Sequence, residues 1–590
     1  MKIIPLRYAI RPSNPAAHTF EVSCTVARPS TDGQCFALPA WIPGSYLIRD
    51  FARHIVSIRA EADGKAVRLE KLDKHTWRAG ALKKNQAITV TCEVYAGDLS
   101  VRGAHLDATH GFFNGSSVFL CPIGHEAAPC LVELQAPHGE FYLNWRVATA
   151  LEPAHGEPAV AERYAFGLYQ AANYDELIDH PVEMGNFALA SFKAGGVPHE
   201  VAITGRHDCD FERLTADLTR ICTWQIGFFG EPAPMARYVF LVSAVGKGYG
   251  GLEHRASTAL LCSRDDLPYV GMEGMTEDYR TFLGLCSHEY FHTWNVKRIK
   301  PAAFTPYDLN RENYTTLLWA FEGFTSYYDD LALLKCGVIA LKDWLQLTEK
   351  TLSNVQRTPG RLRQTLAESS FDAWSKFYRP DENSPNAGVS YYAKGALLAL
   401  ALDLTLRGTR SSKVSLDDVM RTLWQRHGKT GIGIDDETIR LIAEELSGLK
   451  LKPFFANAVH DTGDLPLKKL LADFGVKLRW ENSKAPSLGV KTLSEGNEVK
   501  LGTVFTGGAA QAAGLSAGDL LAAINGLRVT PATLDKQLAR YSAGDSIKVH
   551  AFRHDELREF DVRLASPDSD DCKLLADPKP NALRQKWLGL

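Results

Sequence analysis

At about Thr276 the sequence changes its period, and that change constrains the fold more than any other feature of the chain. Before it, from Met1 to about residue 180, apolar and polar residues alternate in short runs such as HTFEVSCTVAR, QAITVTCEVYA and HGEFYLNWRVA, broken by Gly, Pro, Asn and Asp clusters. A period of two puts one face of a strand in a core, and turn residues between runs join neighbours, so an antiparallel β domain is expected there. After it come TEDYRTFLGLCSHEYFHTWNV, NYTTLLWAFEGFTSYYDDLALLKCG, YYAKGALLALALDLTLRG and LDDVMRTLWQRHG, amphipathic segments that read as helices, several ending at glycine. Between the two regimes lie a helix in DFERLTADLTRICTWQIGFFG, a strand in ARYVFLVSAV and the glycine-rich GKGYGGLEH, and short strands return from about residue 480 to 566.

A chain of 590 residues exceeds what one hydrophobic core supports, so these regimes are expected to be domains of a multidomain α+β protein. The bounds expected are an N-terminal β-sandwich-like domain at 1–183, a mixed then helical domain at 184–475 with its β-rich part running to about 275, a small β module at 478–566, and an irregular or packed extension at 567–590. An apolar fraction of 45% and a charged fraction of 23% suit a folded protein, and a net charge of -3 offers no basic field for nucleic acid or an anionic membrane. No run approaches the roughly 18 uncharged apolar residues of a membrane span, and Pro5 and Arg7 interrupt any leader-like start in MKIIPLRYAI. The eleven cysteines are odd in number, scattered and without a CxxC pair, which suits a reducing compartment and a cytoplasmic location.

The residues richest in chemistry are SHEYFHTWN, 287 to 295. On a helix His288 and His292 lie about 40° apart around the axis and one turn along it, so both imidazoles reach one ion. Thr276 is a plausible N-cap, Glu277 and Asp278 suit the positive helix end, and no proline follows until Pro301. Glu289 then stands beside the metal, where a carboxylate can act as general base toward water. A zinc site needs a third protein ligand. Glu322, set among Leu317, Leu318, Trp319, Phe321 and Phe324, is costly to bury unless paired or metal-bound; its plainer reading is a carboxylate at the polar edge of its helix.

HExxH followed by W-x-x-E-G-F resembles the gluzincin metallopeptidases, in which two histidines of one helix and a glutamate of the next hold one zinc ion. The gap from His292 to Glu322 is longer than in the aminopeptidase N type. Together with PAWIPGSYLIRDFARHI at 39–55, NYDELIDHPVEMGNF at 173–187, GGLEHRAS at 250–257 and a PDZ-like C-terminal module, it resembles the glycyl aminopeptidase branch over nearly the whole chain. The resemblance implies a thermolysin-like catalytic domain, zinc on His288, His292 and Glu322, and Glu289 as general base. It further implies that Glu253, following Gly250 and Gly251, matches the glutamate of the G-x-M-E-N exopeptidase motif and pairs with the substrate ammonium, with His254 replacing the final asparagine. Without the resemblance Glu253 reads as a surface acid on a glycine-rich turn.

VSYYAKGALL matches the Y-x-K-G of gluzincin aminopeptidases, and the resemblance implies that Tyr392 donates to the oxyanion, with Tyr391 as rival and aromatic packing as the alternative for both. The PDZ-like groove would take an extended peptide along Leu488, Gly489 and Val490, or the module only braces its neighbour. Trp41 and Tyr46 of WIPGSY either pack the core or edge the cleft. The implied activity is removal of N-terminal glycine or alanine from peptides with a free N-terminus. A zinc endopeptidase fed by the PDZ-like module and an inactive peptide-binding scaffold are the competing readings.

Overall fold

The computed structural model describes residues 4–408, 413–482, 486–566 and 568–589; residues 1–3, 567 and 590, to which the expected domain bounds extend, lie outside them. It divides into two compact units: Met1–Asn313 with Lys335–Ile339 and Leu423–Ile434, and Tyr314–Leu334 with Ala340–Thr422 and Asp435–Leu590. The stretch expected as one catalytic domain is therefore shared between them. Among the described residues no helix is long and apolar enough to cross a membrane.

The first unit opens with an eight-stranded sheet in the order Glu152–Pro153, Gly167–Ala171, Cys130–Leu134, Leu6–Asn14, Thr19–Val26, Ile88–Tyr95, Ile55–Ala62, Lys65–Val67. Alternation does what the sequence implied: along Ile88–Tyr95 buried and half-buried residues take turns until the exposed Tyr95. One pairing departs from the antiparallel expectation, since Leu6–Asn14 runs parallel to Cys130–Leu134. Two four-stranded sheets complete this region.

Its core contains Phe20, Val90, Phe113 and Leu177 and continues without a break into Val239, Leu241, Leu252 and Ala259 of the next sheet. That sheet has the order Ala188–Ala194, Val197–Thr204, Tyr238–Val245, Ser257–Ser263, Tyr249–Glu253. Its two inner pairings are parallel and its two outer ones antiparallel, leaving Tyr249–Glu253 as an edge strand.

Helices Phe211–Phe229 and Glu277–Phe291 belong to the same unit. The Thr276 hydroxyl caps the second, accepting from the Tyr279 amide at 3.1 Å as the sequence led one to expect. Gln225 ties the two together, donating to the carbonyl and hydroxyl of Ser287 at 2.9 Å each. The buried Tyr290 hydroxyl meets His199 Nε2 at 2.9 Å on the sheet.

In the second unit helices Leu318–Lys335 and Ala393–Arg407 meet backbone to backbone. A Cβ built on Gly323 would stand 2.5 Å from the Gly395 Cα, and one on Gly395 would stand 2.7 Å from the Trp319 carbonyl oxygen. Only hydrogens at both positions permit that crossing. Further along, five strands from Val490–Glu495 to Glu556–Arg563 form one path of a six-stranded sheet, with Leu527–Arg528 added on Leu520–Ile524, over a separate core of Val499, Leu521, Ile547 and Val562.

The C-terminal extension is ordered and packed. Ser569–Ala576 pairs antiparallel with Val476–Asn482, and helix Ala582–Leu588 places Trp587 fully in the interior. Trp587 Nε1 donates to the Tyr327 hydroxyl at 3.1 Å, and that hydroxyl donates to Asp403 Oδ2 at 2.8 Å. The Trp587 indole thus braces the helix carrying Glu322 and the helix that follows Tyr392.

Candidate active site

His288 sits in the last turn of helix Glu277–Phe291, and His292 is its C-cap, still in right-handed helical conformation. Their Nε2 atoms stand 3.0 Å apart. His292 Nδ1 donates to the Asn295 carbonyl at 2.8 Å, which leaves the lone pair on Nε2, the tautomer a metal ligand requires. Two nitrogens of a tetrahedral zinc site are separated by about 3.3 Å, so the pair fits such an ion. The turn that delivers the Asn295 carbonyl is strained: Val296, β-branched and buried, has φ +92°. Nothing in the residue types of NVKR announces this.

Glu289 is buried, and so is Glu253 at the end of the edge strand; ligand-capable atoms of Glu253, Glu289 and His292 all lie within 4.8 Å of one another. Two glycines permit this closeness. A Cβ on Gly251 would fall 2.0 Å from Glu289 Oε1, so only glycine lets the edge strand pass over that carboxylate. Gly250 next to it has its open face toward Val101 and Arg102, at 3.8 and 3.7 Å from a built Cβ.

Gly44, in the left-handed region at φ +96°, would carry a Cβ 2.5 to 2.6 Å from both Glu253 oxygens. The Trp-Ile-Pro-Gly turn therefore closes on Glu253. Trp41 and Tyr46 are wholly buried, Trp41 donating from Nε1 to the Asp308 carbonyl at 2.9 Å, so packing is their role while the glycine between them faces the site.

The stretch at 173–187 also finds its place. Asp179 is buried with Lys297 Nζ at 2.6 Å and His254 Nδ1 at 3.4 Å, and accepts the Arg255 amide at 3.0 Å. Burial raises the Asp179 carboxyl, but the Lys297 ammonium and Arg255 guanidinium outweigh that and hold it well below the ordinary range. Burial also drives the His254 imidazole down to about 4, so it stands neutral. His254 thus faces Asp179, while the Arg255 amide ties the end of the strand that carries Glu253 to that carboxylate.

Glu322 and Tyr392 belong to the second unit. Glu322 is buried one residue before the glycine of the helix crossing, and Tyr392 caps the partner helix three residues before its own glycine. The rival tyrosines differ in exposure: Tyr391 is fully buried, while Tyr392 is half-buried with its hydroxyl 3.4 Å from that of Tyr378. Burial, then the Tyr378 hydroxyl and the Glu322 carboxylate, push the Tyr391 hydroxyl well up. Tyr378 was not singled out by sequence; FYRP carries no spacing signal.

Leu488, expected in a peptide groove, is part of the small module's core. Gly489, at φ +71°, has its amide bonded to Ser487 Oγ at 3.0 Å, and Val490 begins the sheet's edge strand.

A histidine pair with an adjoining carboxylate, overlooked by an edge strand ending in a second carboxylate, defines a metallopeptidase-type site. Comparison with known proteins agrees. Residues 7–186 match the model of the Peptidase M61 N-terminal domain, and residues 281–398 match that of M61 glycyl aminopeptidase. A solved aminopeptidase N family protein from Idiomarina loihiensis is 41% identical, with a TM-score of 0.94 over 99% of each chain. An M1 zinc metallopeptidase from Deinococcus radiodurans shares the fold at 12% identity and a TM-score of 0.50, over 79% of this chain and 95% of its own. No curated protein sequence matches. The chain belongs to the M61 glycyl aminopeptidase family and is a peptidase.

Proposed function

We propose that the chain is a zinc aminopeptidase that removes the first residue of peptides with an unblocked N-terminus, glycine or alanine preferred. The observation that carries this reading is Glu253, a buried carboxylate ending an edge strand within 4.8 Å of both Glu289 and His292. There it can pair with an ammonium and set the first peptide bond beside the general base. His288, His292 and Glu322 would hold one zinc ion, and the histidine tautomer and spacing described above support that assignment. When bound, zinc supplies Lewis-acid polarisation of a carbonyl and acidification of a water.

The chain's own residues do the rest. Glu289 accepts the proton of the attacking water and returns it to the leaving amine. Tyr392 donates to the carbonyl oxygen as negative charge builds there, an interaction worth about 3 kcal/mol in such sites. Glu253 anchors the ammonium. The closeness of Gly44 to the Glu253 carboxylate supports a small first side chain, because that wall stands against the amine site. The small C-terminal module is taken as PDZ-like, its edge strand Val490–Glu495 offering a place for an added peptide strand.

The test compares a glycine-leading peptide with its N-acetylated twin, each with and without a zinc chelator. Chelator-sensitive cleavage of the free-amine peptide alone is expected; internal cleavage of both would favour an endopeptidase. Glu289→Gln should abolish turnover while metal analysis still finds zinc bound, and retained activity would refute its role as the base.

A further inference from the structure

Arg102 lies beside the edge strand, in the segment preceding strand Ala104–Leu106. Its Nη2 donates to the Gly251 carbonyl at a long 3.4 Å, and its Nη1 stands 3.7 Å from where a Gly250 Cβ would be. The strand's other neighbour is Ser257–Ser263, whose Thr258 hydroxyl donates to the Leu252 carbonyl, the next one along. Arg102 therefore meets the strand from outside the sheet, where an added strand would lie. The guanidinium is half-buried, its Nε is buried without a hydrogen-bond acceptor, and among the described residues no carboxylate pairs with it. A half-buried guanidinium with one weak carbonyl contact keeps the donors to bind an anion.

Position specifies the anion. Glu253 and the Gly250–Gly251 pair are two to three residues apart, about 7 to 10 Å at the rise of a strand. An extended peptide of two or three residues spans the same distance between its ammonium and its terminal carboxylate. On the reading that Glu253 anchors the amine, we infer that Arg102 pairs with the C-terminal carboxylate of short peptides, so that di- and tripeptides are the favoured substrates. Arg102 is then a specificity residue that reads substrate length, while the Glu253 carboxylate reads only the free amine.

The experiment measures kcat and KM for glycyl-leucine, glycyl-leucinamide and a glycine-leading hexapeptide with the wild type, Arg102→Ala and Arg102→Lys. The wild type should favour the free acid over the amide at least tenfold in kcat/KM. Arg102→Ala should remove that preference by raising KM for the acid while leaving the amide unchanged, and Arg102→Lys should restore part of it. Equal use of acid and amide by the wild type would overturn the inference while the aminopeptidase reading stood. Equal losses on both substrates in Arg102→Ala would overturn it too, by reducing Arg102 to a support for the strand. Cleavage of none of the three by the wild type would fell both readings together. Arg102→Gln, which keeps a donor for Gly251, serves if the alanine variant fails to fold, and it too must lose the preference.

Discussion

Gly44 and Gly251 set the positions of two carboxylates from the backbone side. Adding one carbon at Gly251 would drive into Glu289, and one at Gly44 into Glu253 while forcing an L residue into left-handed backbone. Gly44→Ala is expected to lower kcat/KM for a glycine-leading peptide by about tenfold, or ~1.4 kcal/mol, mainly through KM. Gly251→Ala should instead depress kcat, because it displaces the base. Steady-state kinetics separates the two, and identical effects on KM would refute the division.

The pH response is also set at this scale. Burial lowers the His199 imidazole to about 4, against roughly 6.5 unfolded. Between those values the unfolded chain binds the proton and the folded one does not, so stability is whole above pH 6.5 and declines as pH falls toward 4. His199→Phe should flatten the thermal midpoint over that interval, the remaining slope coming from the other histidines that burial lowers, His54, His105, His207 and His254; an unchanged slope would show that His199 does not titrate there.

Helix Glu277–Phe291 was legible because its cap, its acidic first turn and its four-residue histidine spacing are all local. Of the edge strand only a glycine-rich run ending in an acid was legible, and by itself that run reads as a turn. What escaped was every contact made over long separations: Gly44 against Glu253, Asp179 with Lys297, and the parallel pairing of Leu6–Asn14 with Cys130–Leu134. No pattern of residue types marks two backbones that touch.

The glycines of E-G-F and Y-x-K-G illustrate this, since each reads in isolation as part of a catalytic motif and proves to be half of one helix crossing. Gly323→Ala or Gly395→Ala should cost roughly 1 to 3 kcal/mol through overpacking and lower activity with stability, which thermal melts and turnover on the same samples would reveal. A melting point unchanged by either substitution would mean the helices do not cross this closely.

Across the whole molecule, chain order and spatial order part company. The division into units runs through the middle of the sequence's helical region, and the core of the N-terminal sheets passes into the five-stranded sheet without regard to the change of period. Periodicity reports what each segment is, and it is silent on which segments share an interior. Trp587→Ala is expected to destabilise the second unit by about 3 to 5 kcal/mol, the cost of removing a buried indole, and circular dichroism on melting would register it.

That indole also bears on how the protein is made. Trp587 is translated 260 positions after Tyr327, whose hydroxyl it holds. Until the ribosome has added those residues, the Tyr327 hydroxyl on the helix with Glu322 lacks the indole that braces it, while Asp403 already has Arg407 and the Leu416 amide as donors. The nascent chain thus carries helix Leu318–Lys335 without this brace over the 260 positions that follow Tyr327, and a product interrupted there should be more open to proteolysis than the chain that carries Trp587.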